Sequence, residues 1–123
     1  MRRILILLFI VAVCGCTSFN RHTVENTVEE INYHYPTFVD NGVVATKATV
    51  EGDCVVFHYC VNEDERSIDE FRNIDNKARL QDLESHGPEM KEFISLIKRS
   101  KMTMKEIYVG SNTGNQVEIS LVL

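Results

Sequence analysis

The stretch from Val43 to Val61 constrains this chain most, because its apolar residues recur at every second position on either side of Gly52-Asp53. A period of two marks a strand with one buried face, and a Gly-Asp pair between two such runs suits a two-residue type II′ turn. The segment predicts a β-hairpin. Counting outward from the turn sets Val50 opposite Val55, Ala48 opposite Phe57, Thr46 opposite Tyr59 and Val44 opposite Val61, all on the face expected to meet the core. The other face then carries Lys47, Thr49, Cys54, Val56, His58 and Cys60.

The flanking segments change period. Val24, Val28, Ile31 and Tyr35 fall at helical spacing, Thr23 can cap that helix, and Pro36 ends it. Glu63-Asp64-Glu65 reads as a solvated charged loop. Ser67-Ile68-Asp69-Glu70 has capping-box spacing and predicts a second helix with Ile68, Phe71 and Ile74 on its apolar face, continuing less regularly through Ala78, Leu80 and Leu83. Gly87 can take a left-handed cap, and Pro88 can open a third helix with Met90, Phe93, Ile94 and Ile97 as its stripe. Lys105–Val109 and Gln116–Val122 alternate around Ser111-Asn112-Thr113-Gly114-Asn115, a second hairpin. Its inward face is expected to hold Ile107, Val109, Val117, Ile119 and Leu121, with Tyr108, Glu118 and Ser120 facing outward. The fold class that follows is α+β: an antiparallel sheet of about four strands, built from two hairpins, with about three helices packed on one face in the order α-ββ-αα-ββ. Such a sheet can leave its second face to water.

Chemistry-bearing residues are sparse. The chain has no Gly-rich phosphate loop, HExxH pair, CxxC pair or Gly-x-Ser-x-Gly elbow. The histidines, His22, His34, His58 and His86, are scattered. Cys54, His58 and Cys60, with Lys47 opposite, form the candidate ligand face. His58 and Cys60 lie ~7 Å apart along a strand, but Cys54 is ~13 Å from His58, so three ligands do not converge and no metal is assigned. No carboxylate on that face orients a Cys-His pair, so no catalytic residue is assigned either. Six residue steps along one strand put Cys54 ~20 Å from Cys60, beyond the ~7 Å Cα limit of a disulfide. Met90, Met102 and Met104 fit core or edge packing. Lys98, Arg99, Lys101 and Lys105 cluster near the end of the third helix, where they complement its dipole or form a docking patch for an acidic partner or anionic lipid headgroups.

The N-terminus has the layout of an export signal. Arg2 and Arg3 precede an unbroken apolar run from Ile4 to Val13, too short to span a bilayer as a helix. The four residues Val13-Cys14-Gly15-Cys16 then resemble the lipobox of bacterial lipoproteins. The resemblance implies cleavage between Gly15 and Cys16 and acylation of Cys16, which anchors the chain because two or more acyl chains hold a protein on a bilayer. The organisation expected is a signal peptide over 1–15, the lipidated cysteine and a short tether over 16–22, and a single domain over 23–123. Removal of 1–15 takes Arg2 and Arg3 and no acidic residue, so 11 basic face 18 acidic residues and the net charge moves from −5 to −7. That excess argues against binding a nucleic-acid backbone.

The proline-ended helix, the Val39-Asp40 lead-in, the long hairpin, the helices and the closing Tyr108-to-Gly114 hairpin look like those of small periplasmic lipoproteins, including some pilotins that escort secretins. Thr17 after the lipidated cysteine lacks the acidic cues that mark surface display or inner-membrane retention, so the resemblance implies an outer-membrane lipoprotein facing the periplasm. The function expected is a non-enzymatic, membrane-anchored accessory that binds a protein partner and needs no cofactor. Alternatives are a small-ligand or metal carrier using the face around His58, an envelope hydrolase without recognised motifs, and an immunity-type lipoprotein.

Overall fold

The computed structural model describes residues 20–123. Gly15 and Cys16, the predicted cleavage and lipidation positions, lie outside the described residues. The helix α1 occupies 20–33 of the described chain, and Val24 and Val28 are buried on the stripe read from the sequence. Asn20 to His22, expected as tether, are already helical. Arg21 ties that end down by donating to Asp53 Oδ1 and to the Gly52 carbonyl.

Five strands form one sheet in chain order: β1 (Thr37–Asp40), β2 (Val43–Glu51), β3 (Cys54–Val61), β4 (Thr103–Gly110) and β5 (Gln116–Leu121). The expected sheet of about four antiparallel strands is corrected on two counts. First, β1 is a short edge strand joined to β2 through Asn41-Gly42, with Gly42 at φ +69°, a backbone region that glycine enters without steric cost. Second, β3 and β4 run parallel, from Cys54 against Thr103 to Val61 against Gly110. A parallel pair needs a crossover of a dozen or more residues, and the helical segment after β3 supplies it by returning the chain to the end where β3 began.

That crossover differs in detail from the expected pair of helices. Ser67 caps as read, accepting from the Asp69 amide, but it opens only a 3-10 turn over Ile68–Phe71. Asp75 then starts a new helix, α2 (Asn76–Ser85), by accepting from the Ala78 amide at 3.2 Å. A second N-cap inside the predicted helix divides it. Pro88 opens α3 (Pro88–Arg99) at its first position as expected, and Gly87 takes a positive φ of 144°. With ψ at 166°, that glycine takes a positive-φ conformation essentially confined to glycine, not the left-handed helical cap foreseen for it.

Register decides which residues are inside. Val50 pairs with Val55 and Ala48 with Phe57 as derived, but a bulge at Thr46 shifts the remainder, so Ala45 meets Tyr59 and Val43 meets Val61. Thr46, the extra residue, points outward and donates to the His58 carbonyl. On β4 the expected faces are exchanged: Met104, Glu106 and Tyr108 are buried, opposite Leu121, Ile119 and Val117, whereas Ile107 and Val109 are only half-buried. The core lies between this inner face and the stripes of α1, α2 and α3, where Val24, Val28, Leu83, Phe93, Ile94 and Ile97 pack. The sheet therefore has two distinct ends: a turn end, with Gly52-Asp53 and the starts of β3 and β4, and a distal end, where those strands finish.

Candidate functional site

The candidate ligand face assembles only in part. Lys47 sits opposite His58 on neighbouring strands, Glu51 opposite Cys54 and Val44 opposite Cys60. Both cysteines are free and half-buried. His58 Nε2 lies 2.9 Å from Thr49 Oγ1 and 3.4 Å from Glu51 Oε2, so a carboxylate does reach this face, contrary to the expectation from sequence, because Glu51 shares the face of β2 that carries Lys47 and Thr49. Burial and the charge of Lys47 push the imidazole below its ordinary value, against the opposing pull of Glu51. Among the described residues, no three of His, Cys, Asp or Glu converge where a metal ion could sit.

A different site appears at the distal end, on the helix side of the sheet. A cleft of about 780 Å³ opens between β1 and α2, with Tyr59, Tyr108 and Phe71 on its floor and Phe38, Val39 and Asp40 along one wall. Phe71 and Tyr108 stack at 4.4 Å, and Tyr108 stacks in turn on Tyr59 at 4.7 Å. The Arg66 guanidinium lies 5.0 Å from the Phe71 ring centre and donates to Asp40 Oδ2. Three aromatic rings and an arginine thus form one continuous stack, rigid because each member covers the next.

Beneath the stack lies an ion pair. Glu106 is 0% exposed, and Arg79 of α2 grips it with two parallel bonds, Nε to Oε1 at 2.7 Å and Nη2 to Oε2 at 2.8 Å. The remaining guanidinium nitrogen, Nη1, donates to Asp82 Oδ2. Burial by itself would depress Arg79, but hydrogen bonding and charge attraction from Glu106 outweigh it and hold the guanidinium above its ordinary value. Burial, reinforced by the negative charge of Glu106, raises Tyr59 and Tyr108, so both phenols stay neutral. Arg79, Glu106 and Asp82 are occupied with one another. What the cleft presents to a visitor is aromatic and apolar surface, with the polar side chains of Asp40, Arg66, Asp82 and His86 also in its lining.

The mouth is apolar and exposed. Phe38 is 82% and Val39 48% exposed on β1, an edge strand whose outer side pairs with no other strand of the sheet. Sequence reasoning missed this site. Asn41-Gly42 was the available signal for β1, since an Asn-Gly pair is a strong hairpin marker. The Arg79–Glu106 pair had no local signal.

The five-stranded mixed sheet with its helical crossover is a small α+β fold that solved structures share. Among solved structures, the pilotin of the type 2 secretion system from Vibrio vulnificus matches with a TM-score of 0.57 at 7% identity, covering 85% of this chain and 89% of that one. The type II secretion pilotin from Vibrio cholerae matches with a TM-score of 0.55 at 13% identity, covering 88% and 94%. A candidate secreted protein from Pseudomonas aeruginosa gives 0.56 at 14% identity, covering 80% and 86%. At these identities the likeness is one of fold. No protein-family model matches the chain, and no curated protein matches its sequence significantly. Among the described residues, no helix is long and apolar enough to cross a membrane.

Proposed function

We propose that the protein is a non-enzymatic lipoprotein of the bacterial envelope, anchored through Cys16, that holds a segment of a partner protein in the distal cleft and assists assembly of a secretion machine, as a pilotin does. The supporting observation is Phe38, a large apolar side chain left in water at the mouth of a cleft whose floor is fully paired and stacked. Rigid aromatic pockets are where partner anchor residues concentrate binding energy. Fold similarity to two pilotins supports the class of partner, and the lipobox resemblance supports the anchor.

A photo-crosslinking amino acid placed at Phe38 in the native bacterium tests this reading. The expected result is one discrete protein adduct containing a secretion component, absent when the same group stands at Val122, which is exposed at the turn end. Equal labelling at both positions, or none at Phe38, would refute it. With the partner in hand, Phe38→Asp should leave the melting temperature unchanged and weaken binding about thirtyfold, the range of a central anchor residue.

A further inference from the structure

The turn end carries a feature that the cleft does not explain. Lys98, Lys101 and Lys105 line one hollow of about 660 Å³, together with Met102, Val122 and Leu123. We infer that this hollow is a seat for the anionic headgroups of a phospholipid surface, and that it stands the molecule on the membrane with the cleft facing away. The inference rests on the proposed anchoring at Cys16.

Chain geometry places the hollow beside the anchor. Four residue steps separate Cys16 from Asn20, so the Cα of the acylated cysteine lies no farther than ~14 Å from that of Asn20. Arg21 is bound to the Gly52-Asp53 turn, and the Asp53 carbonyl accepts from the Thr103 amide at 2.8 Å. Lys101 lies two residues before that contact. The start of α1, the hairpin turn and the lysines thus share one end.

Charge supports the same occupant. The chain is acidic overall, with a formal net charge of −5, yet these three lysines gather at one end. Of the nearby carboxylates, Asp53 is bound by Arg21, and Glu51 is bound by Thr49 and His58 while also attracting Lys105. Glu118 stands 4.0 Å from Lys105, the one lysine with an acidic neighbour at that distance among the described residues. Lys101 has φ +56°, a left-handed conformation that favours glycine, and yet bears a long cationic side chain. Val122 is 79% exposed beside the lysines, so the hollow joins cationic and apolar surface as a lipid interface requires.

The consequence is orientation. Acyl chains alone retain the protein, whereas a lysine seat fixes which end meets the bilayer. Strand β3 has eight residues at ~3.3 Å each, so the distal cleft would stand ~26 Å from the lipid, open to a partner.

The test uses the acylated protein reconstituted into vesicles of phosphatidylcholine, with or without phosphatidylglycerol. A fluorescent amino acid at Val122 should be quenched by headgroup-labelled lipid in the anionic vesicles only, with no quenching of the same probe at Phe38. High salt should abolish the effect, and so should Lys98→Gln/Lys101→Gln/Lys105→Gln. Each lysine near an anionic surface is worth about fivefold in the ratio of seated to unseated orientations, so the triple variant should lower that ratio about a hundredfold. The double variant Lys98→Gln/Lys101→Gln, at two exposed positions, should lower it about twenty-five-fold and serves if the triple variant misfolds. Quenching that is equal in neutral vesicles, or that survives the substitutions, would overturn the inference. So would retention on polyglutamate beads without quenching in anionic vesicles, which would assign the hollow to an acidic polypeptide. Intact mass of the same preparation reads the anchor separately: a product without acyl chains would sink the anchoring proposal, while its flotation with anionic vesicles would still report on the lysines.

Discussion

Glu106 shows at the scale of one residue how this protein differs from its hydropathy pattern. A carboxylate with no exposed surface is tolerated because Arg79 meets both of its oxygens, and the pair divides the desolvation cost between opposite charges. Removing one partner strands the other. Arg79→Ala should therefore destabilise the fold by about 3–5 kcal/mol, read from urea unfolding midpoints, whereas Arg79→Met/Glu106→Leu should recover most or all of that loss. A double variant no more stable than the single one would show that Arg79 acts through packing rather than charge. This pair also explains why hydropathy alternation predicts the opposite face of β4. Ile107 and Val109 form a more apolar set than Met104, Glu106 and Tyr108, so alternation alone chooses the wrong side. A glutamate turns inward only when an arginine waits there, and Arg79 is 27 residues away on another element.

At the scale of the element, β2 shows how a strand is completed without a strand. β1 pairs with β2 only as far as Ala45, which leaves the backbone beyond the bulge without a neighbour on that side. Asn32 of α1 fills the gap: its Nδ2 donates to the Ala48 carbonyl and its Oδ1 accepts from the Ala48 amide, each at 2.8 Å. Because one side chain satisfies both groups, Asn32→Ala should cost about 1–3 kcal/mol, and amide hydrogen exchange at Ala48 should accelerate more than at Val55 in β3. Equal acceleration at both would mean that the variant merely lowers global stability. The acidic run Glu63-Asp64-Glu65 makes the same point. Read as solvated, it instead sends Glu63 onto the β4–β5 turn, where Oε1 accepts from the amides of Asn112 and Thr113 at 2.8 and 2.7 Å. These bonds hold the Glu63 carboxyl below its ordinary value. Helix starts at Pro88 and the turn at Gly52-Asp53 were readable because their signals are local. The bulge at Thr46 was not, since it is set by which of two neighbouring residues the core accepts.

For the whole molecule, the two ends of the sheet are chemically unlike. The distal end has an aromatic cleft with an exposed phenylalanine, and the turn end has lysines and the approach to the proposed anchor. An intact mass of membrane-extracted protein should correspond to residues 16–123 plus acyl chains, and Cys16→Ser should lose that modification. An unmodified soluble product, or one retaining 1–15, would refute the anchor and leave the cleft to be tested as part of a secreted or membrane-spanning protein. The amino-acid sequence by itself determined the α+β class, the inner register nearest the Gly52-Asp53 turn, the helix start at Pro88 and the inability of Cys54 and Cys60 to pair with each other, because each depends on residues close along the chain or on one strand's geometry. Only the tertiary structure decided the parallel pairing of β3 with β4, the inward turn of Glu106, the edge strand with Phe38 and the gathering of three lysines at one end. Those features depend on where the helical crossover returns the chain, and that is settled by packing between residues far apart in sequence.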